Sequence, residues 1–187
     1  MTDTIYVANA ADSTDFLGGN TVSVIDGATC NATDTTGGAT APQTITLGPA
    51  FTSPSGVAVD PATDTIYVAD LENGEEPGMV SVINGPACNA ATSAGCGQTP
   101  PTVTVGFGPF GIAFNPVNRT VVTNQEDTSV SVIDAATCNA IVSSSCGSTQ
   151  PELAVGRAPF ADAVDPAVGT IYVSNGDGTV SIVPAIR

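Results

Sequence analysis

The chain has 187 residues, 18 acidic side chains against three basic ones, no histidine and no tryptophan, and a formal charge of −15. Such a surface repels phosphate backbones and anionic lipid, which argues against nucleic acid and membrane surfaces as partners, and no apolar run nears the roughly 20 residues of a bilayer span. With 42% hydrophobic and 11% charged residues the chain is neither disordered nor a coiled coil, and its 20 glycines and 14 prolines predict many turns and few long helices.

Strand-like runs begin at once. Thr4-Ile5-Tyr6-Val7, Val22-Ser23-Val24-Ile25-Asp26 and Thr44-Ile45-Thr46-Leu47 are rich in β-branched residues and read as strands. Gly56-Val57-Ala58-Val59 adds a fourth type. From there the order is regular: Thr65-Ile66-Tyr67-Val68, Val80-Ser81-Val82-Ile83-Asn84 and Thr102-Val103-Thr104-Val105 complete a unit. The next unit reads Gly111-Ile112-Ala113-Phe114, Thr120-Val121-Val122-Thr123, Val130-Ser131-Val132-Ile133-Asp134 and Glu152-Leu153-Ala154-Val155. The last reads Ala161-Asp162-Ala163-Val164, Thr170-Ile171-Tyr172-Val173 and Val180-Ser181-Ile182-Val183. Naming the strands A to D within a unit, the chain runs B-C-D, A-B-C-D twice, then A-B-C.

Turn chemistry separates these runs. Asp60-Pro61, Asn115-Pro116 and Asp165-Pro166 lie between A and B, where the Asx side chain bonds backbone ahead of it and proline fixes φ. Asn175-Gly176-Asp177-Gly178 is a strong hairpin signal between B and C. Apolar residues fall on both faces of each strand, so each small sheet needs a neighbour on either side. Radially packed blades supply that. An immunoglobulin sandwich needs about 100 residues per unit, and these units are shorter. The expected fold is all-β: a partial β-propeller of four-stranded antiparallel blades in one domain, residues 1–187. Its blades are expected at 1–50, 51–105, 106–156 and 157–187, the first lacking its innermost strand and the last its outermost. Bare apolar end faces then predict self-association, or further blades from a longer parent.

Thr-Ile-Tyr-Val-Ala-Asn (4–9), Thr-Ile-Tyr-Val-Ala-Asp (65–70), Val-Val-Thr-Asn (121–124) and Ile-Tyr-Val-Ser-Asn (171–175) resemble the YVTN β-propeller repeat. Gly-Val-Ala-Val-Asp-Pro (56–61) and Val-Ser-Val-Ile-Asp (22–26) fit the same pattern. The resemblance implies a secreted, periplasmic or cell-surface protein, and it carries architecture rather than activity.

Cys88 and Cys96 are eight apart, as are Cys138 and Cys146, and both pairs lie in C–D loops. The expectation is two disulfides and hence an oxidising compartment; a metal site and unpaired thiols are the alternatives, the first disfavoured by the lack of histidine and of Cys-x-x-Cys spacing. Cys30 opens the same Cys-Asn-Ala motif, but Gly38 stands where its partner is due. It is expected unpaired, either inert or bonding between molecules. The chain opens Met1-Thr2-Asp3 into a strand without a basic and apolar leader, so the expectation is either a cytosolic protein or, for the extracytoplasmic setting, a leader that belongs to a longer parent.

No catalytic, cofactor or metal residues emerge. Acid–base work at neutral pH commonly uses His, Lys or a tuned carboxylate pair, and the first two are missing. Asp162 is the charged residue of the A strands and a candidate to line a central channel. The acidic stretches 12–15, 72–76 and Glu126-Asp127 could coordinate Ca²⁺, although none has EF-hand spacing and a solvated surface is the favoured explanation. The function expected is a non-catalytic extracytoplasmic module for binding or scaffolding through its long B–C loops, 8–20 and 69–78. The alternative is part of a lactonase- or lyase-like propeller enzyme whose reactive residues lie on other blades.

Overall fold

A computed structural model describes residues 3–10, 19–39, 41–48, 53–71, 76–117 and 119–184, with the side chains of Arg119 and Val121 excepted. Among the described residues, fourteen strands fall into four antiparallel sheets, each paired in sequence order. Blade 1 holds β1 (Thr4–Ala10), β2 (Asn20–Asp26) and β3 (Gln43–Thr46). Blade 2 holds β4 (Ser53–Asp60), β5 (Thr65–Leu71), β6 (Met79–Asn84) and β7 (Thr102–Thr104). Blade 3 holds β8 (Pro109–Asn115), β9 (Arg119–Asn124), β10 (Ser129–Ile133) and β11 (Glu152–Ala154). Blade 4 holds β12 (Pro159–Asp165), β13 (Thr170–Asn175) and β14 (Val180–Val183). This is the arc of a β-propeller.

The turns between A and B form as their chemistry dictates. Asp60 Oδ1 accepts from Ala62 N at 2.8 Å, Asn115 Oδ1 from Val117 N at 3.0 Å and Asp165 Oδ1 from Ala167 N at 2.9 Å. In the last hairpin Gly178 takes φ of 83°, a left-handed conformation that favours glycine.

Two details differ from the sequence reading. The A strands begin two or three residues early, because irregularities at Pro54/Val57, Pro109/Ile112 and Pro159/Ala161 let unpaired residues join the strand. Proline is tolerated there because an edge position needs no amide donor. The B strand of blade 3 also has a different register. Ser131 pairs with Val122 as Ser81 pairs with Val68, so the counterpart of Thr-Ile-Tyr-Val is Arg119-Thr120-Val121-Val122, one residue earlier than the run at 120–123.

Among the described residues, three hydrophobic cores lie between successive blades. Val22, Val24, Ile45 and Leu47 of blade 1 pack on Ile66, Val68 and Ile83 of blade 2. Tyr67, Val80, Val82 and Val103 of blade 2 meet Ile112, Val122 and Ile133 of blade 3. Val130 and Val132 of blade 3 meet Ile171, Val173 and Val183 of blade 4. Each inner sheet is therefore apolar on both sides and covered on both.

Candidate functional site

Polar residues connect the strands and then the blades. An asparagine or aspartate at or next to the end of each B strand bridges to serine and threonine hydroxyls at the start of strand C. Asn124 Nδ2 donates to Ser129 Oγ at 2.9 Å and Ser131 Oγ at 3.0 Å, and Asn175 Nδ2 to Thr179 Oγ1 and Ser181 Oγ at 3.0 and 2.9 Å. Asn9 does the same with Thr21 and Ser23. Asp70 has no amide to donate and instead accepts from Ser81 Oγ at 2.6 Å. The serine then serves the preceding blade: Gly106 N donates to Ser131 Oγ at 3.1 Å and Gly156 N to Ser181 Oγ at 3.0 Å.

At the outer side, tyrosine joins one blade to the next. Tyr6 donates its hydroxyl to the Cys88 carbonyl at 2.7 Å, and Tyr67 donates to the Cys138 carbonyl at 2.7 Å. Beside each, the amide after the loop asparagine donates back to a threonine of the same B strand. Ala90 N reaches Thr4 Oγ1 at 3.0 Å and Ala140 N reaches Thr65 Oγ1 at 2.9 Å. Burial, reinforced by the charge of Asp64, raises the Tyr6 hydroxyl to a pKa of about 12.

The loops that receive these tyrosines are bridged. Cys88 and Cys96 form one disulfide and Cys138 and Cys146 another, each with Cα atoms 4.9 Å apart. Cys30 is a free, half-buried thiol. Its loop nevertheless keeps the fold of the bridged ones. Asn31 Nδ2 holds the Gly27 carbonyl at 2.7 Å as Asn89 Nδ2 holds that of Gly85 at 2.7 Å, and Gly37 N donates to Thr29 O as Gly95 N does to Ala87 O, both at 2.8 Å.

The inner edge carries an open hollow of about 530 Å³. Ala8, Gly56, Val57, Phe110, Ile112 and Phe160 contribute to its wall, and Asp162 is the charged side chain among its lining residues. Phe110 and Phe160 stack with ring centroids 4.4 Å apart. Ser55 Oγ ties blade 2 to blade 3 by donating to the Phe110 carbonyl at 2.9 Å. Asp162 pairs with Val173 in the register where Val57 pairs with Val68 and Ile112 with Val122. A carboxylate thus stands where the other blades put an aliphatic side chain against the preceding blade. The residue keeps some exposure, yet its Oδ2 is enclosed without a hydrogen-bond partner. Burial lifts its pKa to about 7 against the opposing pull of its own amide and that of Ala113.

Residues 51–76, which span β4 and β5, match the NHL repeat. No curated protein matches the chain. Among solved structures it resembles hydrazine synthase of Kuenenia stuttgartiensis at 14% identity and a TM-score of 0.63, over 97% of this chain and 55% of that one. It also resembles a chain of the mitotic checkpoint complex at 14% identity and a TM-score of 0.55, over 90% and 44%. Virginiamycin B lyase of Staphylococcus aureus follows at 11% identity and a TM-score of 0.50, over 91% and 51%. The chain is a β-propeller repeat protein. It spans about half the length of these structures, and at such identities the likeness concerns the fold alone.

Within this propeller the residues singled out in sequence lie apart. Asp162 is at the inner edge and the cysteines are in the C–D loops. Asp127 is used in a turn, accepting from Phe107 N at 2.9 Å, while Glu126 is exposed. Residues 12–15 and 72–75, and with them most of the long B–C loops, lie outside the described residues. Among the described residues no group of three His, Cys, Asp or Glu side chains gathers to hold a metal, and no helix is long and apolar enough to cross a membrane. The tyrosine-to-carbonyl bonds were missed in sequence. Their signal was present: tyrosine recurs in the B strands and Cys-Asn-Ala in the C–D loops.

Proposed function

We propose that this propeller segment is a binding module of the YVTN-repeat type, non-catalytic and extracytoplasmic, and that its ligand sits in the inner-edge hollow. The observation that carries the reading is the hollow's chemistry: small and aromatic walls with one carboxylate whose Oδ2 lacks a partner. Pockets with mostly apolar walls and a few placed polar groups fit binding. Acid–base chemistry asks for a second tuned group beside the first. The ligand class that suits two phenyl rings and a carboxylate is a small organic cation with an apolar body. The two disulfides support an oxidising compartment. The lyase likeness is one of fold and adds nothing to the enzyme alternative.

Calorimetric titration with phenethylammonium tests this. Saturable binding that Asp162→Asn removes is the expected result. No heat of binding to the wild-type protein, or equal binding by the variant, would refute the reading.

A further inference from the structure

The bonds that join neighbouring blades have their two halves repeated, unmet, at opposite ends of the arc. At the first junction Tyr6 and Thr4 engage the Cys-Asn-Ala loop of blade 2; at the second Tyr67 and Thr65 engage that of blade 3. The third junction differs. Val121 and Arg119 stand in the tyrosine and threonine places, and strand C of blade 4 leads into Pro184 where the others lead into Asp26, Asn84 and Asp134. Yet blade 4 keeps Thr170 and Tyr172, and blade 1 keeps Cys30-Asn31-Ala32 in a loop of the same hydrogen-bonded shape. Among the described residues nothing meets the Tyr172 hydroxyl, the Cys30 carbonyl or the Ala32 amide.

The apolar faces repeat the pattern. Val22, Val80 and Val130 are fully buried against the following blade, but their counterpart Val180 is 63% exposed, and Ile182 and Tyr172 beside it are 66% and 43% exposed. On the other side Ile66 and Ile171 are fully buried against the preceding blade, whereas Ile5 and Val7 are 43% and 41% exposed.

We propose that the blade 4 face docks on the blade 1 face of a second copy of this chain, and that two copies close into an eight-bladed ring. At each of the two identical junctions Tyr172 donates to the Cys30 carbonyl and Ala32 N donates to Thr170 Oγ1, as Tyr67 and Ala140 do within the chain. Tyr172, Val180 and Ile182 cover Ile5 and Val7 of the partner. Eight blades lie within the range that propellers close, and a head-to-tail contact forms a finite ring when its rotation closes. The occupant is a second copy because both halves of the bond belong to this one sequence. The proposal is independent of the ligand reading above.

Light scattering coupled to size exclusion tests it on the whole chain. The expected mass is twice 18.4 kDa. Ile182→Asp, at an exposed position that leaves folding intact by circular dichroism, yields monomer. Tyr172→Phe weakens the dimer at least about tenfold by removing a hydrogen bond at both junctions, while Tyr67→Phe leaves the mass unchanged. A wild-type monomer at every concentration overturns the proposal, as does a mass that grows without limit, or a dimer indifferent to Ile182→Asp.

Discussion

Gly106 lies so close to Asn124 that a Cβ on the glycine would overlap the asparagine's side-chain amide. The relationship recurs one blade on, where a Cβ on Gly156 would fall 2.5 Å from Nδ2 of Asn175. Both asparagines are buried and anchored to strand C, so neither side can yield. Gly106→Ala is expected to cost about 1–3 kcal/mol by overpacking. Gly97→Ala, with nothing within 4 Å of the new Cβ, is expected to be nearly neutral. Denaturant midpoints of the two variants make the comparison.

Asn124→Ala removes the amide donor from the buried Ser129 and Ser131 hydroxyls, of which Ser131 still accepts from Gly106 N and Ser129 still donates to Glu152. A loss of about 1–2 kcal/mol follows from the two hydrogen bonds removed. Nearby, Thr120 is fully buried and its Oγ1 has no partner, at the position that holds Ile5, Ile66 and Ile171 in the other blades. Thr120→Val keeps the shape and deletes the hydroxyl, and is expected to stabilise by about 1 kcal/mol. The two variants should move the melting temperature in opposite directions.

Removing the hydroxyl in Tyr67→Phe strands the Cys138 carbonyl in the second inter-blade core and should cost about 1–2 kcal/mol. Tyr6, half-buried in the corresponding place at the first junction, adds a pH dependence. Its folded pKa of about 12 exceeds the usual 10, so the folded state holds the proton more tightly. That contribution is complete below pH 10 and is lost as pH rises through 12. Alkaline unfolding of Tyr6→Phe should show a shallower fall across this window than the wild type.

Gly38→Cys should restore the missing third bridge. A Cβ at Gly38 falls 3.8 Å from Cys30 Sγ, and the loop already has the hydrogen bonds of its bridged counterparts. Closing a loop this short is worth about 2–3 kcal/mol in the chain-entropy model. Thiol titration in denaturant should fall from one reactive group per chain to none, with a higher melting temperature that reductant abolishes.

Asp162 sets a pH dependence of the opposite kind to a surface acid. Its folded pKa of about 7 lies above the unfolded value near 4, so the native state prefers the protonated form. The associated stability is present below pH 4 and is lost as pH rises through 7. Asp162→Val should therefore stabilise at pH 8 by about 2 kcal/mol, the residue's partial exposure screening the rest, and much less at pH 4. Binding of an organic cation needs the ionised form, so affinity in the hollow should weaken below pH 7.

Strand positions and blade order were legible because four copies of short β-branched runs recur with the same turn residues between them. The blade 3 register was misread because Thr120-Val121-Val122-Thr123 imitates Thr-Ile-Tyr-Val, with threonine at both ends. What fixes the register is Asn124, which must reach Ser129 and Ser131 across the hairpin. The bulges at Pro54 and Pro109 are backbone events that no side-chain pattern announces. The tyrosine bonds span 82 and 71 residues, and their acceptors are carbonyls, which every residue has. Asp162 was recognisable as the acid of an A strand. That it stands in an aliphatic slot against blade 3 depends on its pairing with Val173.

Each blade covers the face of the next. Nuclear Overhauser contacts between the Tyr67 ring and Cys138, which lie on neighbouring blades 71 residues apart, report that packing. Strong cross-peaks between them are expected, with none linking the edge strands β7 and β8 in a ladder. Absence of the Tyr67 to Cys138 contacts, or a continuous ladder running from β7 into β8, would contradict it.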